Sequence, residues 1–231
     1  MRNSLKVGAA GMALAGLIQI GAAPTPAAAA TMSDAVTFKV KIVNVSKDDT
    51  VKVPGAPAVR APIAPGVFVV SQTKSPIFKV GKAAGTDGLE ALAEDGNFEP
   101  LQKALEAKFG DHAGMFAPGL EFAVTAKPGD RLSFATMFVQ SNDKFYGPKN
   151  GSVALFDKSG KPISGDITMA VQLFDAGTEA DQQPGAGADQ APRQKTANQG
   201  AAQNGVVAKA KDGFAYPATA EVIQVIVTPV N

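Results

Sequence analysis

The sequence predicts an all-β domain with minor α content: an antiparallel β-sandwich of about eight strands carrying a short helical insertion. Three observations lead there. Short runs rich in Val, Ile, Phe and Thr recur at hairpin spacing, several fenced by Pro-Gly, Gly-Pro or Ser-Gly. Helical periodicity is confined to one stretch, Asp87 to Gly110, too little to supply the crossovers of a parallel sheet. The 231 residues include no Cys, so core burial and not disulfides must hold the domain together.

The start of the chain is set apart from the domain. Arg2 and Lys6 precede an apolar, small-residue run from Val7 to Ala23, and Ala28-Ala29-Ala30 follows. This is the pattern of a secretory signal, expected to span 1–30 and to be removed after Ala30. Pro24 and Pro26 break the run short of the roughly 20 strongly apolar residues that a membrane span needs. The expected product is one exported domain, 31–231, periplasmic or secreted. Losing Arg2 and Lys6 leaves 20 basic residues against 21 acidic ones. Such a balance excludes nucleic acid or an anionic membrane as the main partner, because both require a basic surface.

The elements follow in order. Thr37 to Val45 alternates, with Phe38, Val40 and Ile42 on one face and Lys39 and Lys41 on the other, the period of a half-buried strand. Val67 to Ser71 and Ile77 to Val80 are short apolar runs that read as strands or strand fragments. Asp87 and Glu90 have capping-box spacing ahead of Leu89, Leu92 and Ala93, which predicts a helix to Glu94 that stops at Gly96. A second helix starts at Asn97 or Glu99, with Pro100 in its first turn and Leu101, Ala104 and Leu105 inward, and runs to Gly110.

The strand signal then returns at Leu120 to Ala126, Arg131 to Gln140, Ser152 to Phe156, Ile167 to Phe174 and Ala220 to Thr228. Arg131 to Gln140 is apolar on both faces and belongs centrally in a sheet. Between the last two strands, 179–212 is rich in Gly, Ala, Gln, Asn, Asp and Pro and nearly free of apolar anchors. It reads as a long flexible loop, of a length that is often functional.

Motifs for catalysis are absent. There is no Gly-x-Ser-x-Gly elbow, no phosphate-binding Gly-x-x-x-x-Gly-Lys-Ser/Thr and no Gly-x-Gly-x-x-Gly. The single His, His112, stands in a Gly-rich surface turn without a second base, and a chain with no Trp and two Tyr offers few platforms for a sugar cleft. The expectation is a non-catalytic protein. Without Cys and with one His, any metal site must use oxygen ligands. Calcium takes six to eight of these from carboxylates, carbonyls and water. Asp143 and Asp175 each close a buried strand, and would converge on one ion if both strands emerge at the same end. Asp in such positions also serves as ordinary turn chemistry.

Arg131-Leu-Ser-Phe-Ala-Thr-Met-Phe-Val-Gln-Ser-Asn-Asp143-Lys-Phe145-Tyr-Gly147, followed by Leu173-Phe-Asp175-Ala-Gly-Thr178-Glu179, resembles the spondin N-terminal domain family. That family occurs in extracellular matrix proteins and in a bacterial branch of exported single-domain proteins. Its hallmarks are a strand ending in Ser-x-Asp-x-Phe and a later Asp-Ala-Gly-Thr-Asp/Glu. Gly88-Leu89-Glu-Ala-Leu92-Ala93-Glu94-Asp-Gly96 and Tyr216-Pro217 are similar to further family segments, so the likeness spans about Thr37 to Thr228.

The resemblance implies a β-sandwich with one bound Ca2+, held by residues that fall here on Glu121, Asp143 and Asp175. The chain departs from the animal members in having Ser-Asn-Asp for Ser-Pro-Asp and Lys144 in place of Trp, and it lacks their Cys-rich repeats. The expected function is therefore an exported calcium-binding module for binding or adhesion, a monomer, with an extracellular or envelope protein or glycan as its partner. The alternative is a structural envelope protein with no ion dependence, and a carboxylate-based hydrolase ranks behind both.

Overall fold

The computed structural model describes residues 35–230; the expected signal segment, 1–30, lies outside them. The described chain is built from two antiparallel sheets. Eleven strands take part: β1 (Val36–Asn44), β2 (Gly66–Ser71), β3 (Ala113–Phe116), β4 (Glu121–Ala126), β5 (Arg131–Met137), β6 (Lys144–Pro148), β7 (Val153–Ala154), β8 (Gly165–Asp166), β9 (Val171–Asp175), β10 (Ala208–Lys209) and β11 (Ile223–Val230). One sheet has the order β4-β1-β11-β8. The other runs β10-β9-β6-β5-β2-β3, with β7 pairing on β5.

Alternation explains how the sheets face each other. On β1, Phe38, Val40 and Ile42 are fully buried while Lys39 and Lys41 are exposed. They meet Phe134 and Leu132 of β5, Tyr146 of β6 and Val225 and Val227 of β11 in one core between the sheets. The outer face of the larger sheet is covered too. Helices α1 (Leu89–Asp95) and α2 (Glu99–Phe109) lay Leu89, Leu92, Leu101 and Leu105 against Val67, Val69, Ala135, Phe145 and Phe174. Strand β5 is thus buried on both faces, as its two-sided apolar pattern predicts.

Several local expectations change. Ile77 to Val80 forms no strand; Ile77 and Phe78 are buried as loop side chains, and the Phe78 ring packs 4.8 Å from that of Phe174. The capping box at Asp87 is not used, because Gly88 precedes α1 in a left-handed conformation. Gly96 closes α1 as predicted, also left-handed, with its N–H directed to the Ala91 and Leu92 carbonyls. The turn containing His112 passes directly into β3, and β6 fills what read as the tail of the Asp143 motif.

The 179–212 segment has no regular structure beyond turns, one Glu179–Ala202 bridge and β10 near its end, yet it is anchored by polar groups and by buried Val207. Gln190 is fully buried and its amide donates to the Gln183 carbonyl at 2.9 Å. Arg193 donates to the Gly187 carbonyl at 2.7 Å and to Gln140 at 3.1 Å, and the Ala180 N–H donates to Ala201 at 2.8 Å. Amide side chains do here what apolar anchors do elsewhere. Among the described residues, no helix is long and apolar enough to cross a membrane.

Candidate cation centre

The site begins with the register of two adjacent strands. Lys144 opens β6 and stands directly opposite Asp175, the last residue of β9. Along these strands Phe145 and Phe174 face the helices, while Tyr146 and Leu173 face the other sheet. Alternation therefore turns Lys144 and Asp175 to the same face as Tyr146 and Leu173, at the end of the ladder.

The turn before β6 delivers Asp143. Ser141 donates its hydroxyl to the Phe138 carbonyl at 2.7 Å and accepts the Lys144 N–H at 3.1 Å, which tightens the Ser-Asn-Asp turn. Asp143 is completely buried. Its Oδ2 accepts the Thr178 N–H at 2.8 Å and the Glu179 N–H at 3.2 Å, and its Oδ1 lies 3.1 Å from Lys144 Nζ. Its carbonyl accepts the Ala176 N–H at 3.1 Å, so the two motif turns are tied to each other.

The Asp-Ala-Gly-Thr turn is shaped by its own aspartate. Asp175 Oδ1 accepts the Gly177 N–H at 2.7 Å, and its Oδ2 sits 3.0 Å from Lys144 Nζ. Gly177 adopts φ +71°, and a Cβ there would lie 2.7 Å from the Val206 nitrogen, so the position requires glycine on both counts.

Two further carboxylates come from the ends of the long loop. Asp181 pairs with Lys144, and Asp212 Oδ2 lies 3.5 Å from the same Nζ. The Tyr216 hydroxyl donates to Asp212 at 2.5 Å and the Phe214 N–H at 2.9 Å. Lys144, itself fully buried, thus faces four carboxylates. A buried lysine is rare unless paired, and here the pairing is in excess.

The electrostatics follow from that imbalance. Burial works against the Lys144 ammonium, but Asp143, Asp181 and Asp175 override it and hold its pKa well above the ordinary lysine value. One ammonium cannot satisfy every neighbour. Burial pushes Asp181 up to about 6, with Lys144 opposing and Asp175 and Asp143 adding to the rise. Asp175 is raised by burial and by Asp143, against the pull of Lys144. Asp212 goes the other way: burial raises it, but the hydrogen bonds from Tyr216 and Phe214 and the charge of Lys144 together lower it.

A rim of acids surrounds the cluster. Buried Glu179 accepts the Asn142 amide at 3.0 Å and is raised by burial. Glu94, buried on α1, is pushed up to about 7, first by burial and then by the charges of Glu179, Glu90 and Asp143, with Thr178 opposing.

Asp143, Asp175 and Asp181 each offer a carboxylate oxygen, and these oxygens all lie within 4.8 Å of one another, so the trio could hold a metal ion. The donors are hard oxygens, which suit a hard divalent cation. Two of the three residues expected from the sequence, Asp143 and Asp175, are therefore brought together. Glu121 is not with them. On β4, Phe122, Val124 and Ala126 turn inward, so Glu121 points outward, where it pairs with Lys39 at 3.2 Å and is half exposed.

Asp181 takes the third place. The sequence offered neither Asp181 as a site residue nor Lys144 as more than a departure from the Trp of the animal members, whereas the Lys144 side chain is central to the cluster. The available signal was Asp181 itself, two residues beyond the Asp-Ala-Gly-Thr-Glu motif, together with a lysine set between Asp143 and the apolar Phe145. His112 is exposed in a 3-10 turn at Gly110–His112. No family model matches the chain, and comparison with curated proteins gives no match either.

Proposed function

We propose that the chain is an exported, non-catalytic β-sandwich of the spondin N-terminal type. In this reading it acts as a binding or adhesion module, with calcium at the Asp143, Asp175 and Asp181 carboxylates. The observation that carries it is the convergence of the three carboxylate oxygens within 4.8 Å, on turns whose backbone is already hydrogen-bonded into place. Four carboxylates against one ammonium leave three negative charges in excess, which a divalent ion would reduce. Calcium would brace both motif turns and the start of the 179–212 loop, presenting that end of the sandwich as a fixed surface. Calorimetric titration of the purified protein with calcium tests the reading. Saturable binding that is weakened in Asp143→Asn and Asp175→Asn is expected; no heat of binding in the wild type overturns it.

A second reading is favoured by Lys144. Its ammonium already partners every carboxylate of the cluster, as a structural envelope protein without ion dependence would require. Thermal melting in calcium against chelator separates the two, because an unchanged midpoint selects the second.

A further inference from the structure

The geometry points to Lys144 as a tethered cation that occupies the acidic centre and competes with calcium for it, an inference that rests on the calcium reading above. Lys144 Nζ lies 3.1 Å from Asp143, 3.0 Å from Asp175 and 3.5 Å from Asp212, and it pairs with Asp181. The first two and Asp181 are the trio whose oxygens converge. The atoms that would hold a metal ion are therefore the atoms that hold the ammonium. Two cations cannot share them, since a divalent ion within a few ångströms of an ammonium in a buried site is strongly repelled. Calcium must displace Nζ to enter.

The chain is equipped for that exchange. Lysine carries its charge on a flexible four-carbon stem, and Asp212 stands outside the converging trio, held in place by Tyr216 and Phe214. It remains available to the displaced ammonium. Without calcium, Lys144 keeps the carboxylates from driving the turns apart. With calcium, it sets the threshold, because every binding event must first break its ion pairs. Exchange also selects by charge: replacing one monovalent cation by another leaves the excess negative charge unchanged, whereas a divalent ion reduces it.

The test is calcium titration by calorimetry of the wild type, Lys144→Met and Lys144→Arg, with folding followed by far-ultraviolet circular dichroism. Met keeps most of the length and an apolar stem without the charge, so Lys144→Met should bind calcium about tenfold or more tightly than the wild type, while Lys144→Arg gains nothing. Lys144→Met binding no tighter than a wild type that does bind overturns the inference and leaves the calcium reading standing. Calcium binding by Lys144→Met alone upholds the role of Lys144 and refutes calcium as the natural ligand. Absence of binding by both folded proteins overturns both. If Lys144→Met is unfolded without calcium, refolding on addition of millimolar calcium supports the inference, and failure to refold refutes it.

Discussion

Asp143→Asn is the sharpest perturbation of the loop end. The substitution keeps size and shape but removes the charge from a completely buried side chain that accepts two backbone N–H groups and faces an ammonium. An asparagine oxygen can still accept from Thr178 and Glu179, but its NH2 must then be turned toward Lys144 Nζ, donor against donor. Breaking a buried pair by neutralising one partner costs about 3–5 kcal/mol. Here Asp175, Asp181 and Asp212 still partner the lysine, and relief of their repulsion from Asp143 offsets part of the loss. The expected net destabilisation is about 2–3 kcal/mol, a drop in melting temperature of roughly 4–12 °C for a domain of this size. Denaturant unfolding in chelator, followed by circular dichroism, measures it directly. Glu121→Gln is the internal control: it removes a half-exposed ion pair with Lys39 and should stay within about 0.5 kcal/mol of the wild type. Equal effects of the two substitutions would refute the reasoning, because they would mean that the buried cluster contributes no more than a surface pair.

Three other outcomes are expected. Gly177→Ala forces a Cβ into a φ of +71° and against the Val206 backbone, and should destabilise by about 1–3 kcal/mol in the same unfolding assay. Glu94 has a folded-state pKa of about 7, above its unfolded value, so the folded state binds the extra proton and the wild type should lose stability as pH rises from about 4.5 through 7. Glu94→Gln should flatten that slope in unfolding free energies measured across the range, and an unchanged slope would show that Glu94 is not its source. Tyr146 carries a hydroxyl that is buried without a hydrogen-bond partner, so Tyr146→Phe should stabilise the protein by about 1 kcal/mol, read as a shift in denaturation midpoint at constant slope.

What the sequence revealed of the fold depended on how completely each strand expressed its own period. β1 alternates over nine residues and is legible alone. β6 is buried on both faces, is five residues long and ends in Gly147-Pro148, so nothing in its composition separates it from a turn. Strands of two residues such as β8 and β10 exist only because a neighbour pairs with them. The site divides the same way. Asp143 and Asp175 were legible because each borders an apolar strand run, Asp143 just before β6 and Asp175 at the end of β9. Asp181 and Asp212 arrive from the 179–212 loop, and tertiary folding alone brings them to Lys144. Glu121 is the instructive case. Its own strand turns it outward through the inward positions of Phe122 and Val124, and the expectation borrowed from a resemblance ran against that local alternation.

The origin of the four carboxylates divides the cluster into a permanent part and a conditional one. Asp143 and Asp175 sit at the ends of paired strands, and Asp212 follows buried Val207 and the short β10–β9 pair, whereas Asp181 leads into a stretch fastened by amide and guanidinium side chains. Such a segment opens in excursions that expose little surface, below the cost of unfolding the sandwich. In each excursion Lys144 would lose Asp181 and gain access to water while the sheets remain paired. Ligand exchange and proteolytic nicking at this end would then share one clock, the opening rate of the loop, and the sandwich beneath would register neither.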